Sequence, residues 1–317
     1  MFRYVIRRIL AAIPVMLIVS TTVFTLLFLT PGDPAGVILG PDATPERINE
    51  LREQLGLNDP WHMQMLRWYG KLIQGDLGNS LSVNNRTVMQ AIAERAEPTI
   101  LLTTLALTVS LLIGLPTGIV SALSRGRVVD TLVMFVAIVG VSMPSFWLGL
   151  NLIYVFAVSL RVLPLAGYQG LDQGLGETLR YLIMPAITLG LAQGALLARM
   201  TRSMMLETLG EDYVRTARAK GLNQPAVVIR HALRNALIPL VTVVGLSFAV
   251  LMGGAVITEQ VFNIPGVGRL LIQAIGRRDY PLVQGIVLLI ALMYVLINLL
   301  VDIVYGVLDP RIRQSRA

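Results

Sequence analysis

The sequence predicts an all-α protein that crosses a membrane six times, with one sizeable helical insertion between its first two spans. Three observations carry this reading. The residues are 55% apolar and only 14% charged, against roughly a quarter charged in a soluble domain, so most of the surface has only lipid to face. Six apolar runs approach the roughly 20 residues that cross a hydrocarbon core about 30 Å thick: residues 9–30, 99–123, 131–158, 181–199, 236–258 and 282–306. The net charge of +7 is not gathered on one soluble basic face, as nucleic-acid binding requires. The cations lie in short clusters between the runs, as topology determinants do.

The first run follows Arg3, Arg7 and Arg8. It resembles a signal peptide, but no small-x-small cleavage site follows it, so it reads as a retained helix. Pro31-Gly32-Asp33-Pro34 then takes the chain out of the membrane, because two prolines forbid continuing the helix. Thr44-Pro45-Glu46 supplies an N-cap, a proline at the first helical position and an acid in the first turn, and Ile48, Leu51 and Leu55 recur on one face before Gly56. A second amphipathic helix starts at Asp59-Pro60 and gathers Trp61, Met65, Trp68, Tyr69 and Leu72 on one side. That stripe suits either the membrane interface or, the preferred reading, packing against the preceding helix or the spans. Within the spans, Gly114…Gly118 and Gly190…Gly194 are both GxxxG, a spacing that lets helix backbones approach closely.

Orientation follows from the cations. The termini, the 124–130 connection and the 199–234 segment hold fifteen Lys and Arg against five acids, whereas the opposite side holds eleven against thirteen. The positive excess places both termini and the 199–234 segment in the cytoplasm, and segment 31–97 on the outer side.

Other function classes find little support. There is no cysteine, so neither disulfide nor thiolate chemistry is expected. No His-Glu-x-x-His or Gly-x-Ser-x-Gly is present, and the two histidines, His62 and His231, fall on opposite sides of the membrane, so no metal site is predicted. Gly70-Lys71 is followed by Leu72 and lacks the upstream glycine of a phosphate-cradling loop, so ATP is not expected to bind this chain. An ion-coupled secondary transporter needs ionisable groups at mid-membrane. Asp302 lies near the cytoplasmic end of the last span, and Glu259, at the outer end of span five, is a candidate for a gate or a substrate-facing position.

The segment between spans four and five is the informative one. Its polar, basic, helix-favouring stretch ends at Gly221 after a basic last turn, and Asn223-Gln224-Pro225 restarts a helix toward Arg234. About 37 residues is long for a connector and short for a domain, so the loop is expected to dock onto a partner; resting on anionic headgroups is the plainer alternative.

Glu211 to Leu222, followed by Arg234-Asn235-Ala236-Leu237-Ile238-Pro239, resembles the EAA loop of binding-protein-dependent ABC permeases. The family's Glu-Ala-Ala-x-x-x-Gly reads here as Arg215-Thr216-Ala217-x-x-x-Gly221, a form similar to the peptide and nickel branch. Arg3-Tyr4-Val5-Ile6-Arg7-Arg8, Pro31-Gly32-Asp33-Pro34, Leu55-Gly56-Leu57, Gly75-Asp76-Leu77-Gly78, Ser142-Met143-Pro144, Phe262 to Arg269 and Arg278-Asp279-Tyr280-Pro281 extend the resemblance over the whole chain.

The resemblance implies a type I importer permease fold in a bacterial inner membrane. Residues 1–30 would hold the N-terminus and first span, 31–97 a periplasmic helical segment, 98–306 the permease core with its coupling loop at 200–234, and 307–317 a cytoplasmic tail. It implies a non-catalytic subunit paired with a second, homologous permease, two ATPase subunits that bind the ATP and Mg, and a periplasmic binding protein. Alternating access would follow, with peptides as cargo and nickel chelates, glutathione or sugars as alternatives. The coupling residues would be Glu211, Asp212, Tyr213, Arg215, Thr216, Ala217, Arg218, Ala219, Lys220, Gly221 and Leu222. For the transport path, polar positions on apolar spans stand out: Ser142, Ser145, Asn151, Gln193, Thr242, Ser247 and Asn298, with Glu259. Each also suits a helix–helix hydrogen bond.

Overall fold

The computed structural model describes residues 2–30, 32–40, 42–54, 56–83 and 86–308. Apart from an isolated bridge between Asn79 and Thr87, its regular structure is helical: α1 (Phe2–Leu29), α2 (Pro34–Leu39), α3 (Pro45–Gln54), α4 (Trp61–Ile73), α5 (Val88–Leu123), α6 (Val128–Ser142), α7 (Ser145–Leu152), α8 (Leu175–Leu209), α9 (Asp212–Ala219), α10 (Gln224–Ala226), α11 (Arg234–Val261), α12 (Val267–Gly276) and α13 (Tyr280–Leu308). Among the described residues five stretches are long and apolar enough to cross a membrane, and α6 with the α7 segment, bent by 99°, makes a sixth if the pair is counted as one span.

That bend corrects the expectation of one straight third span over 131–158. Met143 is extended and Pro144 has no amide proton to give, so the helix breaks between Ser142 and Ser145. Elsewhere the helices overrun their apolar runs. The second begins at Val88 rather than near residue 99, and the fourth extends to Leu209. An apolar run marks the hydrocarbon limits, whereas a helix ends only where capping or a breaker stops it. The helix α12 was not anticipated.

The chain divides into two compact units. One contains the residues up to Glu97 together with Pro265–Val295. Its core joins Val88, Ala91 and Ile92 of α5 to Val267, Leu270 and Ala274 of α12 and to Leu282, Val283 and Ile286 of α13. Gly285 admits the Val88 side chain where a Cβ would collide with it. Asp279, fully buried, fastens the 80–82 turn: its Oδ2 accepts from Ser80 Oγ (2.5 Å), Leu81 N (2.9 Å), Ser82 N (2.8 Å) and Ser82 Oγ (2.8 Å). Of the aromatic stripe of α4, Trp68 and Tyr69 pack on α1, with Trp68 against Phe24 at 5.8 Å between ring centroids and the Tyr69 hydroxyl at 2.8 Å from Ser20 Oγ, whereas Trp61 is exposed.

The other unit holds Pro98–Ile264 and α13 from Leu296 onward. Here the two GxxxG motifs meet. A Cβ at Gly114 would lie 2.6 Å from Leu197 Cβ and 2.8 Å from Gly194 O, one at Gly118 would lie 2.6 Å from Ala198 O, and one at Gly190 would strike the Ala106 carbonyl. The small residues therefore let α5 and α8 touch through their backbones. Leu102, Leu182, Leu189, Leu251 and Phe262 lie in the surrounding core.

Candidate coupling site and transport path

The 199–234 segment is built in steps. The helix-favouring stretch that ends at Gly221 is not one short helix: its first part continues α8 to Leu209, Gly210 and Glu211 turn the chain, and α9 starts at Asp212. Glu211 and Asp212 set two acids at the α9 N-terminus, where the helix dipole favours them. At its other end, Leu222 N donates to Ala217 O (3.4 Å) and Gly221 N to Arg218 O (2.9 Å), with Gly221 at φ +80°. This is a Schellman stop, which needs a left-handed residue at that position. Asn223 then caps the next helix, its Oδ1 accepting from Ala226 N at 3.0 Å. The restarted helix does not end near Arg234; α10, a π-helical stretch over Val227–Leu233 and α11 follow one another without a break, to Val261.

Two kinds of surface result on α9. Val214 and Ala217 are buried against Val227 and Leu209. Asp212, Arg215, Thr216, Arg218, Ala219, Lys220, Gly221 and Leu222 are exposed, Leu222 by 42% of its surface. Tyr213 is also exposed, although its hydroxyl accepts from Asn235 Nδ2 at 2.8 Å. The Arg215–Asp212 pair at 3.4 Å is open to water and adds little stability. The tip is thus a basic surface with one apolar side chain, seated by two small ones. Behind it, Met205, Val228, Ala232 and Ala236 pack with Ala122 of α5.

Next to this packing lies a cluster that the sequence motifs did not reveal. Asp130 Oδ1 accepts from Arg202 Nε (2.6 Å) and Ser121 Oγ (2.5 Å), and Oδ2 accepts from Arg202 Nη2 (2.8 Å) and Gly126 N (3.0 Å). The carboxylate is almost fully buried. One carboxylate thus joins α5, α6 and α8. The available signal was an acid in the first turn of one span with an arginine at the polar end of another, both counted only as topology charges.

The path candidates separate into distinct settings. Gln193 and Ser247 meet each other, Gln193 Nε2 donating to Ser247 Oγ at 2.6 Å, and both are buried. Glu259 is fully buried and accepts from Thr99 Oγ1 at 2.6 Å. Ser142 and Asn151 are exposed and donate back along their own helices, to Ile138 O at 2.8 Å and Trp147 O at 2.7 Å. Thr242 is exposed, while Ser145 and Asn298 are half-buried. The side chain of Asp302 lies outside the described residues.

Comparison with known proteins identifies the fold and family. A family model described as "Binding-protein-dependent transport system inner membrane component" matches residues 114–314, and one for the N-terminal part of such components matches residues 1–112. The "Probable peptide ABC transporter permease protein y4tP" of Sinorhizobium fredii (strain NBRC 101917 / NGR234) is 45% identical over 310 residues, covering 98% of this chain and 99% of its own. The "Glutathione transport system permease protein GsiC" of Escherichia coli (strain K12) is 44% identical over 313 residues, covering 99% of each. Among solved structures, the inward-facing methionine ABC transporter MetNI (CY5 native crystal form) aligns with a TM-score of 0.56 at 20% identity, over 70% of this chain and 97% of that one, which shows the shared fold. Two family models that together cover most of the chain, and relatives matched nearly end to end, place it: the chain belongs to the binding-protein-dependent transport system inner membrane components and is the multi-pass permease subunit of an ATP-binding-cassette importer.

Proposed function

We propose that this subunit forms half of the pathway for peptides, and that it couples to an ATPase through the tip of residues 215–222. The observation that carries the coupling role is the two-sided α9: Val214 and Ala217 anchor it, while Arg215, Arg218, Lys220 and Leu222 are exposed toward a glycine turn. Such a tip suits a partner's groove. In this reading both termini and residues 200–234 are cytoplasmic and residues 31–97 are periplasmic. A second permease completes the pathway, and a binding protein delivers the cargo. Two ATPase subunits hold ATP and Mg, and this chain performs no hydrolysis.

Peptide is the cargo favoured by the name of the Sinorhizobium relative. Glutathione, itself a small peptide, is the second reading, favoured by the names of the relatives at 44% identity. Reconstituting the complete transporter with its binding protein and measuring ATP-driven uptake of labelled di- and oligopeptides beside glutathione tests both. Uptake of a peptide set with glutathione excluded supports the first reading. Uptake of glutathione alone replaces it with the second, and uptake of neither rejects both.

A further inference from the structure

The turn that follows α1 holds Gly32 at φ +123°, and a Cβ there would overlap the guanidinium of Arg278. Glycine serves both the backbone and the close approach. Among the described residues none offers that guanidinium a carboxylate or another acceptor, and its Nη1 is buried. An arginine drawn out of water is normally paired.

Gly32 also lines a cleft of about 500 Å³, within the roughly 300–1,000 Å³ of small-molecule sites. Phe24, Leu27, Phe28 and Leu57 form its apolar wall. Of its polar groups, three are committed to the fold: Asp33 caps α2 and pairs with Arg52 at 3.1 Å, and Gln64 Nε2 donates to Leu57 O and Asp59 O. Three are not. The side chains of Asn58, Tyr280 and Gln284 have no hydrogen-bond partner among the described residues. Gln284 is only 6% exposed, and Tyr280 stands four residues before it, on the same side of α13. A buried carboxamide with nothing to bond calls for a ligand or for water.

The surroundings select the kind of ligand. Leu27 packs with Val88, Ala91 and Ile92, in the turns of α5 that expose Glu94 beside Arg86. The cleft therefore lies level with charged surface, where a ligand arrives from water and not from acyl chains. Asp33 and Arg52 cancel each other, so Arg278 leaves one positive charge behind the Gly32 wall, which favours an anion. Tyr280 and Gln284 can donate to a carboxylate, and the carboxamides of Asn58 and Gln284 each offer the donor and the acceptor that a peptide group needs. The apolar wall suits a hydrophobic side chain.

We propose that this cleft binds short peptides, with the C-terminal carboxylate drawn to Arg278 and held by Tyr280 and Gln284, and an apolar side chain against Phe24 and Phe28. The site belongs to a different compact unit from Gln193, Ser247 and Glu259. It deepens the peptide reading of the cargo and rests on it for the supply of ligand.

The test uses the complete transporter in nanodiscs, with one cysteine placed in this cysteine-free chain: Thr30→Cys at the cleft, or Arg47→Cys on α3 as a reference away from it. Labelling of this chain by a maleimide is followed by mass while the tripeptide Ala-Ala-Phe is added. The peptide is expected to slow labelling at 30 at least about fivefold once it exceeds its Kd severalfold, and to leave 47 unchanged. The C-terminal amide of the same peptide should need about 10- to 150-fold more for equal protection, the worth of a hydrogen bond to a charged group. Arg278→Gln should weaken protection by the free peptide, and Arg278→Lys, which keeps the charge, should weaken it less. No protection at any soluble concentration, or equal protection by the amide, overturns the proposal. Protection by dihexanoyl phosphatidylglycerol and not by the tripeptide would assign the anion to a lipid headgroup and overturns it as well. Uptake of labelled peptide in the same preparation separates the two readings. Normal uptake with an unprotected thiol sinks the site alone, whereas protection in a transporter that imports no peptide keeps the site and removes the peptide cargo.

Discussion

Replacing Gly221 with valine isolates the backbone requirement of the tip. The residue sits at φ +80°, and an added Cβ would meet nothing within 4 Å, so the substitution introduces no collision. What remains is the left-handed penalty, about 1–2 kcal/mol for an L-residue and more for a β-branched one. A cost of that size lowers the population of the native turn by a factor of about 5–30. The two hydrogen bonds that close α9, from Gly221 N and Leu222 N, weaken together, and Leu222 loses its placement. The spans have no part in this turn, so insertion and abundance should stay near normal. Asparagine tolerates the left-handed region better, so Gly221→Asn should retain most function. The assay is ATP-driven uptake together with ATPase co-purification, run beside the double substitution Arg215→Gln/Arg218→Gln. A loop that only rests on headgroups would respond to the arginines and hardly to the glycine. Full uptake and full ATPase retention by Gly221→Val would refute the coupling role.

Three further outcomes follow from the packing. Asp130→Ala strands Arg202, whose side chain is 27% exposed, without its carboxylate, and removing one partner of a pair costs more than replacing both; the thermal midpoint in detergent should fall clearly, and less so for Asp130→Ala/Arg202→Leu, whereas an equal fall in both variants would mean that the ion pair is not the cause. Gly190→Val drives a side chain into the Ala106 carbonyl and should separate α5 from α8, reducing the folded yield, while Gly253→Val, where a Cβ meets nothing within 4 Å, should not; equal yields would contradict the close approach. Asp279→Ala removes the acceptor of Ser80, Leu81 and Ser82, all half-buried, so water can reach the released donors; faster amide hydrogen exchange at Leu81 and Ser82 is expected, and unchanged protection would show that the carboxylate does not hold the turn.

The apolar runs located every span because the bilayer imposes both length and composition on them. Helix limits were less legible. The polar first turns of α5 and the basic end of α8 lie outside any hydropathy window, yet nothing there stops a helix. The break at Met143-Pro144 had a visible cause in the proline, but apolar residues on both sides hid it within one run. Gly221 was readable as a stop, since a basic turn preceding glycine is a local signal. Gly210 was not, because its φ of −81° is ordinary helix-side backbone that any residue adopts. The Asp130–Arg202 fork and the Asp279 anchor join residues 72 and about 199 positions apart in sequence, and pairing over such distances comes from the fold. The small-residue motifs fall between these cases: each was visible, but only the structure pairs one with the other.

Contact between the tip of residues 215–222 and an ATPase subunit is the claim on which the rest depends. A photo-reactive amino acid at position 218, which is exposed and outside the packed face of α9, tests it directly in membranes that contain the assembled transporter. Irradiation should join this chain to an ATPase subunit, with a yield that changes when ATP is added, and the same group at Phe135, exposed in the apolar helix α6, should give no such product. Cross-linking from position 218 to lipid alone, in a transporter that still imports its cargo, would contradict the account.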